Sequence, residues 1–118
     1  MPVLMIVDDA AFMRVRCAKL LKENGYDVVE AENGAQAVKM YQETRPDGVL
    51  MDITMPVMDG LEALANIRKI DPGAKVAMVT AMGQQSIVIE ALKAGARDFV
   101  VKPFQADRVL AAVRRMIG

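Results

Sequence analysis

The stretch GVLMDITMP, residues 48–56, runs apolar through Val49, Leu50 and Met51, meets a carboxylate at Asp52 and turns at Pro56. A strand with one wet face alternates apolar and polar residues; this run does not, which is how a strand buried on both faces reads. The same pattern recurs at Val3-Leu4-Met5-Ile6-Val7, Val76-Ala77-Met78-Val79 and Phe99-Val100-Val101, with a weaker version around Val28-Val29. Segments of helical period fill the gaps. Met13, Cys17, Leu20 and Leu21 share one helical face that Gly25 closes. Val38 and Tyr41, then Leu61, Leu64 and Ile67, then Val88, Ala91 and Leu92 mark three more helices, and Val109, Val113 and Met116 a fifth. Asp71-Pro72-Gly73 is a turn after the third helix, and Gly95 closes the fourth. Strands that are each followed by a helix imply an α/β fold: a five-stranded parallel sheet with right-handed crossovers and helices on both faces.

A chain of 118 residues is near the commonest domain size, so residues 1–118 are expected to form one domain. Hydrophobic residues make up 53% and charged residues 25%, with no low-complexity tract, which argues against disorder. A formal net charge of zero gives no basic footprint for nucleic acid and no charge-driven attachment to membranes. The apolar stretches are strand-sized and no basic-then-apolar leader opens the chain, so a cytoplasmic location is expected. The single Cys17 has no internal disulfide partner, in keeping with a reducing compartment. Histidine is absent. That removes Ser-His and Cys-His catalysis and imidazole metal sites, and leaves oxygen ligands, which favour Mg²⁺ or Ca²⁺ over zinc.

In an open parallel sheet, ligands bind beyond the carboxyl ends of the strands. The residues just past the apolar runs are Asp8-Asp9, Asp52, Thr80-Ala81 and Lys102-Pro103. Each has a plain reading. Asp8 or Asp9 caps the first helix, Thr80 is a β-branched strand residue, and Lys102 is a solvated loop lysine. Likewise the ten methionines fill a core, and Cys17 is a small buried hydrophobe. Together they point elsewhere. Three crowded aspartates repel, so they have raised pKa values or hold a cation. One Mg²⁺ and Lys102 would balance their charge, and Mg²⁺ prefers a few carboxylates, waters and phosphate oxygens. Such a site suits a phosphoryl group, whose transfer needs positioning and charge neutralisation. A carboxylate nucleophile such as Asp52 can form an aspartyl-phosphate.

At VDDA (7–10), MDITMPVMDG (51–60), MVTA (78–81) and KAGARDFVVKPF (93–104) the chain resembles the receiver domains of two-component response regulators, over essentially its full length. The resemblance implies a flavodoxin-like (β/α)5 fold with strand order 2-1-3-4-5; that order comes with the family and not from the residue pattern. It also implies Asp52 as phosphoacceptor, and Mg²⁺ held by Asp9, by Asp8 through water, by Asp52 and by the Thr54 backbone carbonyl. Thr80 would hydrogen-bond the phosphoryl group, Lys102 would pair with its charge, and Lys102-Pro103 would be a cis peptide. Thr54 and Met82 occupy positions that tune hydrolysis in the family. The late switch aromatic, often tyrosine, is Phe99, which can swing toward Thr80 but offers no hydroxyl.

Within the family, AAFMR after the acidic pair and AMGQQ at the fourth helix resemble the single-domain chemotaxis regulators, as does an end at Gly118 with no output domain. The implied function is a phosphorylation-activated signalling switch. It is no enzyme beyond turning over its own phosphoryl group. A histidine kinase would phosphorylate it in trans, and it would bind a protein target such as a flagellar switch protein through the fourth helix, fifth strand and fifth helix. A phosphatase would be a further partner; nucleic acid and membrane would not, and the chain would be a monomer. Alternatives are a receiver detached from a larger, DNA-binding regulator and a phosphorelay intermediate. A Mg²⁺-dependent aspartyl-phosphate phosphatase would want an acid two residues past Asp52, where Thr54 stands. A flavin module would want a phosphate-cradling loop where Asp8 and Asp9 repel.

Overall fold

Among the described residues, five strands and five helices alternate: β1 Val3–Val7, α1 Ala11–Glu23, β2 Asp27–Ala31, α2 Gly34–Thr44, β3 Gly48–Asp52, α3 Gly60–Ile70, β4 Val76–Ala81, α4 Gln85–Lys93, β5 Asp98–Lys102 and α5 Ala106–Ile117. This is a computed structural model, and it describes residues 1–118 apart from Met82, Phe104 and Gly118. All strand pairs are parallel, in the order β2-β1-β3-β4-β5.

The non-alternating runs fill two cores. Met5, Met51 and Met78 face α2, α3 and α4, where they meet Tyr41, Leu64, Ile67 and Val88. Leu4, Ile6, Leu50 and Ala77 point to the other face, against Cys17 and Leu21 of α1 and Val109, Val113 and Met116 of α5. Successive residues go to opposite faces, and both faces are dry. β2 lies at the edge, so only Ala31 of its five residues is buried, and its sequence signal is correspondingly weak. Leu92, one of the residues that mark the fourth helix in the sequence, lies on the flank of α4 and is 41% exposed. Cys17 does lie in the core, where burial pushes its thiol up to about 12 and leaves it an inert hydrophobe at neutral pH.

Local signals set the helix ends. Asn33 accepts from the Gln36 amide to open α2, and Asp59 accepts from the Glu62 amide to open α3. Gly25, at φ +91°, ends the first helical unit in a conformation that a β-carbon disfavours. Gly60 matters for the site itself. Its amide donates to the Ile53 carbonyl at 2.7 Å, and a β-carbon there would run into the Asp52 carbonyl oxygen and sit 2.9 Å from Ile53 Cα. Only glycine lets α3 start this close beneath the end of β3.

Candidate functional site

The carboxyl edge of the sheet carries the residues that follow the apolar runs. Asp52, Ala81 and Lys102 are the last residues of β3, β4 and β5, with Thr80 one before the end of β4, so the strands extend through these positions rather than stopping short of them. Asp8 and Asp9 follow β1 directly. The order β1-β3-β4-β5 therefore brings them side by side. Asp8, Asp52 and Thr80 are the buried polar residues here, at 5%, 8% and 1% exposure, while Asp9 is exposed.

Neither aspartate caps α1. Ala10 holds the N-cap position with no side-chain cap bond. The Asp8 Oδ1 instead accepts from the Ala10 amide at 2.9 Å, fixing the carboxylate in a tight turn with Oδ2 directed at Lys102. The Lys102 Nζ lies 2.9 Å from Asp8 Oδ2 and 3.5 Å from Asp52 Oδ2. Burial alone would lower the pKa of this ammonium; the hydrogen bond to Asp8 and the charge of Asp52 outweigh it and hold the pKa above its ordinary value. Lys102 is therefore a fixed positive charge in the pocket. The Lys102–Pro103 peptide is cis, as the resemblance implies.

Burial pushes the Asp52 carboxyl up to about 6, against the pull of Lys102 and with reinforcement from Asp8 and Asp9. Crowding alone would suggest mutual repulsion as the main cause; loss of solvent is the larger one. Three carboxylates against one ammonium leave the pocket negative. Each of Asp8, Asp9 and Asp52 offers an oxygen, all within 4.8 Å of one another. Three carboxylate oxygens gathered this closely are the donor chemistry that a hard cation such as Mg²⁺ takes, so the cluster could hold one.

Thr80 lies at the carboxyl edge, as expected, and is engaged there by a neighbouring side chain. Its hydroxyl donates to Gln84 Oε1 at 2.6 Å, with the Ala81 carbonyl a longer alternative at 3.2 Å. The Ala81 amide donates to the same Gln84 oxygen at 2.8 Å, and Gln84 Nε2 donates to Thr54 Oγ1 at 3.2 Å. From sequence, Gln84 has no role of its own; it enters there only as part of the AMGQQ stretch at the fourth helix. Met82 lies outside the described residues. Phe99 is half-buried, packs against the core under α4 and lines an apolar groove of about 400 Å³ with Thr80, Val88, Ile89, Leu92 and Val101.

A doubly wound sheet with an acidic, lysine-braced pocket at its carboxyl edge, in place of a phosphate-cradling loop, defines a flavodoxin-like receiver. The comparison with known proteins is specific on this point. The response regulator receiver domain family matches residues 4–114, and the chain belongs to that family. It is 60% identical over 116 residues to the chemotaxis protein CheY of Bacillus subtilis (strain 168), covering 98% of this chain and 97% of that protein. Among solved structures, a response regulator receiver domain protein from Clostridium thermocellum superposes with a TM-score of 0.95 at 27% identity, over 99% of this chain and 94% of the other. A CheX–CheY–BeF₃–Mg²⁺ complex from Borrelia burgdorferi contains a chain matching at TM-score 0.91 and 35% identity, over 96% of this chain and 87% of that one. Receiver domains are phosphorylation-activated signalling modules, and the Bacillus subtilis relative at 60% identity is a chemotaxis protein. Among the described residues, no helix is long and apolar enough to cross a membrane.

Proposed function

We propose that Asp52 is the phosphoacceptor of a chemotaxis-type switch, charged by a CheA-type histidine kinase and read by a protein target such as a flagellar switch protein. The observation that carries this reading is the convergence of Asp8, Asp9 and Lys102 on the buried Asp52 carboxylate. An Asp52 Oδ attacks phosphorus, the nitrogen–phosphorus bond of the phosphohistidine breaks, and the imidazole leaves with the electron pair. Lys102 Nζ pairs with charge on the phosphoryl oxygens. The Thr80 hydroxyl and Ala81 amide, one strand over, donate to them. Mg²⁺ bound by Asp8, Asp9, Asp52 and the Thr54 backbone carbonyl would supply further positive charge to the same oxygens. The only chemistry the chain performs is on itself: it takes the phosphoryl group and later yields it to water, a step a partner phosphatase would speed.

The output surface in this reading is the groove between α4 and β5, together with α5. Thr80 and Phe99 both border it, so movement of Thr80 toward the phosphoryl group frees space for the Phe99 ring and reshapes the groove. The reading is tested by phosphotransfer from a radiolabelled CheA-type kinase. The unmodified chain drains label from the kinase and Asp52→Asn does not; equal draining by both refutes it.

A further inference from the structure

We propose that Gln84 is an internal surrogate for the phosphoryl group, a latch that holds the Thr80 and Ala81 donors until phosphorylation of Asp52 evicts it. The inference rests on Asp52 as phosphoacceptor and goes beyond it by assigning the resting state its own lock. One carboxamide oxygen accepts from both the Thr80 hydroxyl, at 2.6 Å, and the Ala81 amide, at 2.8 Å. Two donors converging on one oxygen is the demand a phosphoryl oxygen makes. Asp52 pairs in register with Val79, the residue before Thr80, so a phosphoryl group on Asp52 arrives beside these donors. Both acceptors cannot be served. The threonine hydroxyl carries a single proton, and an oxygen already lies between it and the amide.

The helix shows what the latch costs. Gln84 is the N-cap residue of α4, where a side chain ordinarily accepts from an amide of the first turn; it makes no such bond. Its side chain is turned back onto the end of β4, and Nε2 ties it across to Thr54, which follows β3. Eviction therefore does two things. It frees Thr80 and Ala81 for the phosphoryl oxygens, and it releases the first turn of α4 from both strand ends. That turn, with Gln84, Gln85 and Val88, forms one wall of the groove at Phe99. The latch so couples occupancy of the pocket to the mobility of the surface proposed to bind the target.

The test is beryllofluoride affinity in saturating Mg²⁺, followed through the Ala81 amide resonance, for the unmodified chain, Gln84→Ala and Gln84→Glu. Removing the competing acceptor tightens binding about tenfold or more in Gln84→Ala, since the hydrogen bonds of the Gln84 side chain with Thr80, Ala81 and Thr54 no longer need to be broken. Gln84→Glu keeps an acceptor in place and adds negative charge, so it binds more weakly than the unmodified chain. The Ala81 amide of Gln84→Ala should also shift before any beryllofluoride is added. Equal affinities in all three, or tighter binding by Gln84→Glu than by Gln84→Ala, overturns the latch alone. Failure of all three to bind removes the phosphoacceptor reading and the latch with it.

Discussion

Replacing Asp52 by asparagine should make the metal-free protein more stable, because an ionised Asp52 is costly in its buried position. Its carboxyl stands at about 6 in the fold against an ordinary value of 3.8, with desolvation as the first cause. A carboxyl whose folded pKa lies above its unfolded one binds its proton more tightly when folded. Ionisation then costs nothing below about pH 4, costs progressively more between about pH 4 and 6, and costs its full amount above that. At about 1.36 kcal/mol per pH unit, the width of that window sets a ceiling of about 3 kcal/mol. The side chain is still 11% exposed, and water screens such a group, so about 1–3 kcal/mol is expected at pH 7.5. For a chain of this size, 1 kcal/mol is about 4 °C in Tm. Urea unfolding of the unmodified chain and Asp52→Asn in EDTA, from pH 7.5 to 4.5, measures the gap. The variant should be the more stable at pH 7.5, and the gap should shrink as pH falls through the window. Adding Mg²⁺ should close it from the other side, because the ion stabilises the chain that retains the carboxylate. A less stable variant at pH 7.5, or a gap that ignores pH, would show that Lys102 over-compensates the burial.

The metal site yields a second expectation: Mg²⁺ binds weakly, near the millimolar range, and Asp9→Ala abolishes the NMR shifts it causes around Asp8 and Asp52. Binding undiminished in that variant would remove Asp9 as a ligand. Thr80→Ala should still accept a phosphoryl group on Asp52 but lose the gain in target affinity that phosphorylation brings. The lost hydrogen bond to a charged acceptor is about 1.5–3 kcal/mol, or roughly 10- to 100-fold. Isothermal titration with the isolated target checks it, and full target binding by phosphorylated Thr80→Ala, with an unchanged Phe99 ring environment on activation, would leave Phe99 as plain core.

The sheet was legible because β1, β3 and β4 are dry on both faces, and a continuous apolar run such as Val49-Leu50-Met51 suits a strand covered on both sides and little else. β2 was faint because an edge strand can keep Asp27 and Glu30 in water. Its place beside β1 came from family resemblance, since parallel crossovers leave no register signal in the chain. Asp8, Asp9, Asp52, Thr80 and Lys102 were legible as a set for one reason: all lie at strand ends, and a parallel sheet puts those ends on one edge. What they do to one another was not. The Asp8–Lys102 ion pair spans 94 positions, and the balance of burial against Lys102 at Asp52 depends on how far water reaches. Gln84 was out of reach for a sharper reason. Its contacts depend on how the chain turns between β4 and α4, where Gly83 takes φ +88°, and no periodicity encodes that turn. Leu92 followed the helical stripe in sequence yet faces the groove, because α4 covers β4 with Val88 and Ala91 and leaves its next flank open.

Peptide mapping by mass spectrometry after incubation with acetyl phosphate and Mg²⁺ tests the central assignment most directly, since it depends on no partner. One phosphoryl group should appear, on the peptide carrying Asp52, and none on Asp52→Asn, whose amide is a far poorer nucleophile. Asp59 serves as the internal contrast, a carboxylate already committed to capping α3. Label on Asp59, or stable label on Asp52→Asn, would contradict the assignment.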